Sequence, residues 1–147
     1  MAMDILNNIR IQDMIAHGNR SAGQTTLNGA AVDMSSFRTV AAIIQLGAVT
    51  TNAVTSLHWE GSDDNSTWVD LEGTEVTIED DDDNDYFATE LKYPRHRYNR
   101  CVMSRATQNS ALRSAHYIMC GSRHAPVSHP TDVNADNIFI SPGAGTP

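Results

Sequence analysis

Between residues 37 and 120 the chain is a succession of short extended runs separated by turn formers, with almost no helical periodicity. That pattern most limits what it can fold into. Residues 37–46, FRTVAAIIQL, are rich in β-branched residues and apolar on both parities, as in a strand covered on both faces, and Gly47 is expected to end the run. Residues 53–60, AVTSLHWE, alternate instead, with Leu57 and Trp59 on one face and Ser56 and His58 on the other. The turn cluster GSDDNST (61–67) and the resumption at Trp68 make residues 53–71 a β-hairpin, with Trp68 entering the core. Val76 and Ile78 share one face of a further short strand, and another strand starts at Tyr86. About seven or eight such strands imply an all-β chain, an antiparallel β-sandwich of jelly-roll-like kind.

The runs 98–105 and 113–120 flank a polar loop near Asn109 and are expected to form a hairpin. That register sets Cys101 opposite Cys120 and Met103 opposite Ile118 on the core side, with Tyr98, Arg100, Val102, Ala115 and Tyr117 on the other face. The two thiols are expected to be core groups, a cross-strand disulfide being the alternative. Residues 1–27 fit neither helical nor alternating spacing and form an irregular lead-in. The sandwich then covers 28–124, and an extended Pro/Gly-rich arm covers 125–147. On that arm Ile138, Phe139 and Ile140 are too apolar to stay free of a partner surface, either the domain itself or a neighbouring subunit. The first ten residues lack the features of a secretory signal, and no apolar run is long enough to cross a bilayer.

Charge is laid out in blocks. Residues 60–90 hold thirteen acids and no Lys or Arg, and residues 92–123 hold seven bases and no acid, within a net charge of −8. Surfaces of opposite sign, or neutralisation between adjacent segments of one sheet protein, both follow from this. The acidic balance argues against nucleic acid as a partner.

The densest acidic stretch is TIEDDDDNDYF (77–87), with Asp80, Asp81, Asp82, Asp83 and Asp85. An EF-hand frame starting at Glu79 lacks the glycine at its sixth position and is flanked by strands, so that template fails. A solvated inter-strand loop is the first reading; a looser Ca²⁺ site and an acidic contact to an arginine-bearing neighbour are the others. SDDNSTW (62–68) is similar to the Asp-box hairpin of sialidase-type propellers, but one degenerate copy makes no propeller. Of the histidines, His17 and His124 adjoin turns, His58 lies on a polar strand face, and His96 lies among arginines. His116 has core-side parity and His129 sits on the arm. None stands at a recognised ligand spacing, and no nucleophile or phosphate-binding motif occurs, so no catalytic residue, metal or cofactor is expected. In KYPRHRYNR (92–100), Arg95, Arg97 and Arg100 interleave with Tyr93 and Tyr98. That composition suits ion pairs with acidic loops of the same domain, a protein interface, or contact with nucleic acid or glycan.

The order of these pieces carries a resemblance. NGAAVDM (28–34), FRTVAAIIQLGAVT (37–50), EGSDDNSTWVDLEGT (60–74), KYPRHRYNRCVMSRAT (92–107), GSRHAPV (121–127) and SPGAGTP (141–147) together resemble the head decoration, or cement, proteins of tailed bacteriophages. The resemblance spans residues 28–147 and excludes the cysteines, the aspartate run and the N-terminal stretch. It implies a non-enzymatic structural protein made in the host bacterial cytoplasm and carried on the outer capsid surface of the virion. Its implied partner is the phage major capsid protein, with self-association as a dimer or trimer. The alternative is a glycan-binding jelly-roll module on a virion surface, with Trp59, Trp68 and the tyrosines as a stacking platform.

Overall fold

A computed structural model gives the structure, which describes residues 5–133. One helical turn, α1 (Ile5–Asn8), precedes ten strands: β1 (Arg10–Asp13), β2 (Leu27–Asn28), β3 (Val32–Asp33), β4 (Thr39–Val49), β5 (Val54–Ser62), β6 (Val69–Asp70), β7 (Val76–Ile78), β8 (Tyr86–Lys92), β9 (Tyr98–Ala106) and β10 (Ser110–Cys120). They form two antiparallel sheets. One has the order β1-β10-β4-β8; the other has β2-β9-β5-β6, with β3 also on β9 and β7 also on β5. The chain is thus an all-β antiparallel sandwich, as the strand pattern implies. Among the described residues no helix is long and apolar enough to cross a membrane.

Alternation sorts the side chains. On β4, Val40, Ala42, Ile44 and Leu46 point inward; on β5, Leu57 and Trp59; on β9, Cys101 and Met103; on β10, Ala115, Tyr117 and Met119. Trp59 from one sheet meets Tyr117 from the other, ring centroids 5.9 Å apart. Both polar ends are satisfied inside the core: Trp59 Nε1 donates to Thr89 Oγ1 (3.1 Å), and the Tyr117 hydroxyl oxygen accepts from the Cys101 backbone N–H (2.8 Å). The N-terminal stretch contributes β1, which pairs with β10, and the buried Met14 and Ile15.

Four sequence expectations need correction. β4 runs through Gly47 to Val49, and it alternates buried with half-buried positions, so one face is core and the other partly open. Runs 98–105 and 113–120 form no hairpin: β9 pairs with β5, β2 and β3, while β10 pairs with β4 and β1. The loop between them carries Thr107 and Gln108 at left-handed φ of 52° and 53° and takes the chain from one sheet to the other. Cys101 therefore lies beside Trp59 in one sheet and Cys120, half-buried, pairs with Thr39 in the other; both thiols are free. β10 turns Tyr117 and Ala115 into the core, and His116 onto the outer side. Trp68 stays out of the core, half-buried beneath the guanidinium of Arg100 at 4.2 Å.

The start of the C-terminal arm lies along the N-terminal stretch. Val127 N–H donates to Asn7 O (3.0 Å) and His129 Nδ1 accepts from Ile11 N–H (3.3 Å), so Nε2 carries the hydrogen and donates to Leu6 O (3.0 Å). Ile138, Phe139 and Ile140 lie outside the described residues.

Candidate functional site

The basic block lies at the turn from β8 to β9, where the chain crosses from the four-stranded to the six-stranded sheet. Most of its charge is spent within the domain. Arg97 forks onto Asp33, with Nη2 2.8 Å from Oδ2, and its guanidinium lies 4.9 Å from the Tyr98 ring. The Arg97 hydrogen bond, aided by the Ser35 N–H, holds the Asp33 carboxyl down at about 2. Arg100 Nε donates to Glu60 Oε2 at 2.5 Å, directly across from it in register. His96 Nδ1 is 3.0 Å from Asp63 Oδ1, its ring resting where a side chain on Gly61 would collide with it at 2.4 Å. Of the two charge-layout readings, neutralisation between neighbouring segments describes these pairs.

Two members of the block remain outward. Arg95 is exposed and has no ionic or hydrogen-bond partner among the described residues. Tyr93 is 72% exposed and held at φ 48°, a left-handed conformation costly for a bulky side chain; its N–H donates to Arg38 O. They border a groove of about 430 Å³ whose other walls include Val69, Leu91 and Glu72. Val69 is itself an exposed apolar residue on β6.

The aspartates form an ordered connection from β7 to β8. Asp83 Oδ1 accepts from Val49 N–H (2.5 Å), and Asp80 Oδ2 from Asn52 N–H (2.6 Å), which fastens this loop to the β4–β5 turn. Asp82 Oδ2 accepts from Glu79 N–H (2.7 Å), a side chain reaching back three residues to close the loop on itself. Asp81 and Asp85 are exposed, and their carboxylates have no hydrogen-bond partner among the described residues. The loop supplies acceptors to backbone donors that turns leave open, a reason for acids that involves no ion. The double variant Asp80→Ala/Asp83→Ala is expected to lose about 2 kcal/mol, as paired cap removals do, and Asp81→Ala less than about 0.5 kcal/mol. Urea unfolding of the three proteins checks this, and equal losses would contradict the assignment.

The Asp-box-like turn is likewise built on one carboxylate. Asp64 accepts from Thr67 N–H (2.7 Å) and Ser66 N–H (2.8 Å), and these bonds push its carboxyl far below the usual range.

Sequence spacing passed over one grouping. On the outward side of β5, His58 and Glu60 are two residues apart, and Asp70 on β6 pairs with Glu60. The three offer ligand atoms within 4.8 Å of one another, the group of this kind among the described residues. His-x-Glu on one strand face is visible in the sequence; Asp70 joins only when the hairpin register is known. Trp59, 1% exposed, is unavailable as a glycan platform, and one face of Trp68 is already taken by Arg100.

Fold and site together define a β-sandwich domain with an outward aromatic-basic turn and ordered acidic loops. No protein-family model matches the chain, and no curated protein matches it. Among solved structures it is similar to the crystal structure of the PBSX exported protein XepA, with a TM-score of 0.50 and 16% sequence identity over 95% of this chain. The match takes in 46% of XepA, so the chain spans about half the length of that protein. At this identity the likeness establishes the fold.

Proposed function

We propose that this chain is a non-enzymatic head decoration protein of a tailed phage, which binds the outside of an assembled shell and clamps neighbouring major capsid subunits. The observation that carries the reading is the β8–β9 turn, where a strained, exposed Tyr93 and an unpaired Arg95 flank an open groove beside the apolar Val69. Tyrosine and arginine dominate the energetics of protein interfaces, and a residue held in a costly conformation needs a compensating use. The order of sequence motifs from residue 28 onward supports the same role, as does the fold shared with a phage-related protein, the PBSX exported protein XepA. The described part of the arm docks on its own sheet edge. A ligand that binds only the assembled shell stabilises it by mass action, with no chemistry required. Self-association as a dimer or trimer at lattice junctions belongs to the same proposal.

Purified chain should co-sediment with expanded phage shells that lack it and raise their disruption temperature. The double variant Tyr93→Ala/Arg95→Ala should bind about thirtyfold more weakly, the effect of losing one interface hot spot of about 2 kcal/mol. Absence of binding at saturating concentration overturns the role; undiminished binding by the variant moves the contact elsewhere on the sandwich.

A further inference from the structure

From the outer face of the six-stranded sheet we infer that His58, Glu60 and Asp70 form a binding site for one divalent transition-metal cation of the zinc type. Strand geometry assembles it. Residues two apart on β5 project from the same side, and the side chain across from Glu60 on β6 is Asp70. His58 Nε2 lies 3.5 Å from Asp70 Oδ1 and 3.8 Å from Glu60 Oε1. Both separations exceed a sound hydrogen bond. They suit ligands that share a cation: bonds of about 2.1 Å at the tetrahedral angle place two ligand atoms about 3.4 Å apart. The remaining adjustment falls on Asp70, whose side chain is 81% exposed and has no other polar partner among the described residues.

The surroundings orient the set. Glu60 keeps Oε1 free because Oε2 is occupied by Arg100 Nε at 2.5 Å, and Arg100 is braced on the Trp68 ring at 4.2 Å. Such outer groups fix the direction of a ligating carboxylate and favour single-oxygen coordination. The three side chains and Arg100 sum to about −1 with a neutral imidazole, so a dication is electrostatically welcome. An imidazole nitrogen with two carboxylate oxygens matches zinc and its neighbours better than calcium or magnesium, which take all-oxygen sets. One side faces a cleft of about 310 Å³ bordered by Ser56, Ser104, Thr74 and Glu75, leaving room for water as the fourth ligand. A bound cation would cross-link the short strand β6 to β5 and stiffen the 61–68 turn.

The test is calorimetric titration of the chelator-treated chain with zinc chloride, accompanied by the visible spectrum of added cobalt(II). Saturable one-to-one binding and a tetrahedral cobalt band are expected, with affinity falling about tenfold or more in His58→Ala and in Asp70→Asn. Asp70→Asn alters an exposed side chain, so its fold serves as a check on His58→Ala. The variant Asp81→Ala should bind as the parent does. No saturable binding, or binding unchanged in both site variants, overturns the assignment; loss confined to Asp81→Ala relocates binding to the aspartate loop and overturns it as well.

Discussion

Trp59→Ala is expected to lower the stability of this protein by about 3–5 kcal/mol, a large share of what a domain of this size possesses. The side chain is 1% exposed and sits where the two sheets face each other, against Tyr117. Truncation removes its packing on both sheets and leaves a void that close-packed neighbours fill only in part. It also deletes the indole donor to Thr89. Thermal unfolding should show a fall of about 10 °C. Trp68→Ala, at a half-buried position, should cost less than about 1.5 kcal/mol, which separates burial from aromatic content. A small loss at Trp59 would mean that the sheets do not meet there.

Arg105→Met should cost about 3 kcal/mol, although among the described residues no carboxylate pairs with this arginine. Arg105 is 6% exposed, and its guanidinium donates to three backbone carbonyls: Ser21 O (2.9 Å), Thr25 O (2.7 Å) and Ser110 O (2.8 Å). Burial pushes its pKa down, as desolvation of a cation must, yet the three acceptors keep it in place. The arginine fastens the irregular 20–26 stretch onto β10, where Gly23 and Ser110 also exchange backbone hydrogen bonds. Methionine matches the length but supplies no donor, so the carbonyls lose their partner. Arg105→Lys should recover less than half of the loss, since one ammonium cannot serve acceptors on both sides of the fork. Urea unfolding gives the magnitude. Hydrogen exchange localises it, with residues 20–26 expected to open first.

The strands were legible because alternation is a local property. Leu57 with Trp59, Val76 with Ile78, and the 53–71 hairpin all follow from period two and turn chemistry. Alternation assigns a side chain to a face of its own strand and says nothing about which strand lies alongside. Alternation alone therefore allows Cys101 to face Cys120, whereas the 107–109 loop sends β10 into the other sheet. The aspartate run had a similar limit: that it connects strands could be read directly, whereas its bonds to Val49 and Asn52 join residues about thirty positions apart. In the sequence Arg105 is one more charge in a basic block, because composition does not report burial. Of the interface candidates, Arg97 and Arg100 proved to be held by Asp33 and Glu60, and Tyr93 and Arg95 face outward.

The imidazole of His129 bridges Leu6 and Ile11, beside the bond from Val127 to Asn7, so both outer stretches of the chain meet on one border of the four-stranded sheet. Mechanically, that border is where tension applied to the C-terminal stretch enters the molecule. Load there is shared between these few bonds, which lead into α1 and β1, and the backbone of residues 121–126, which leads directly into β10 at Cys120. The bonds of Val127 and His129 are thus a sacrificial tether: a pull is expected to strip them before the full load falls on β10 and its pairing with β4.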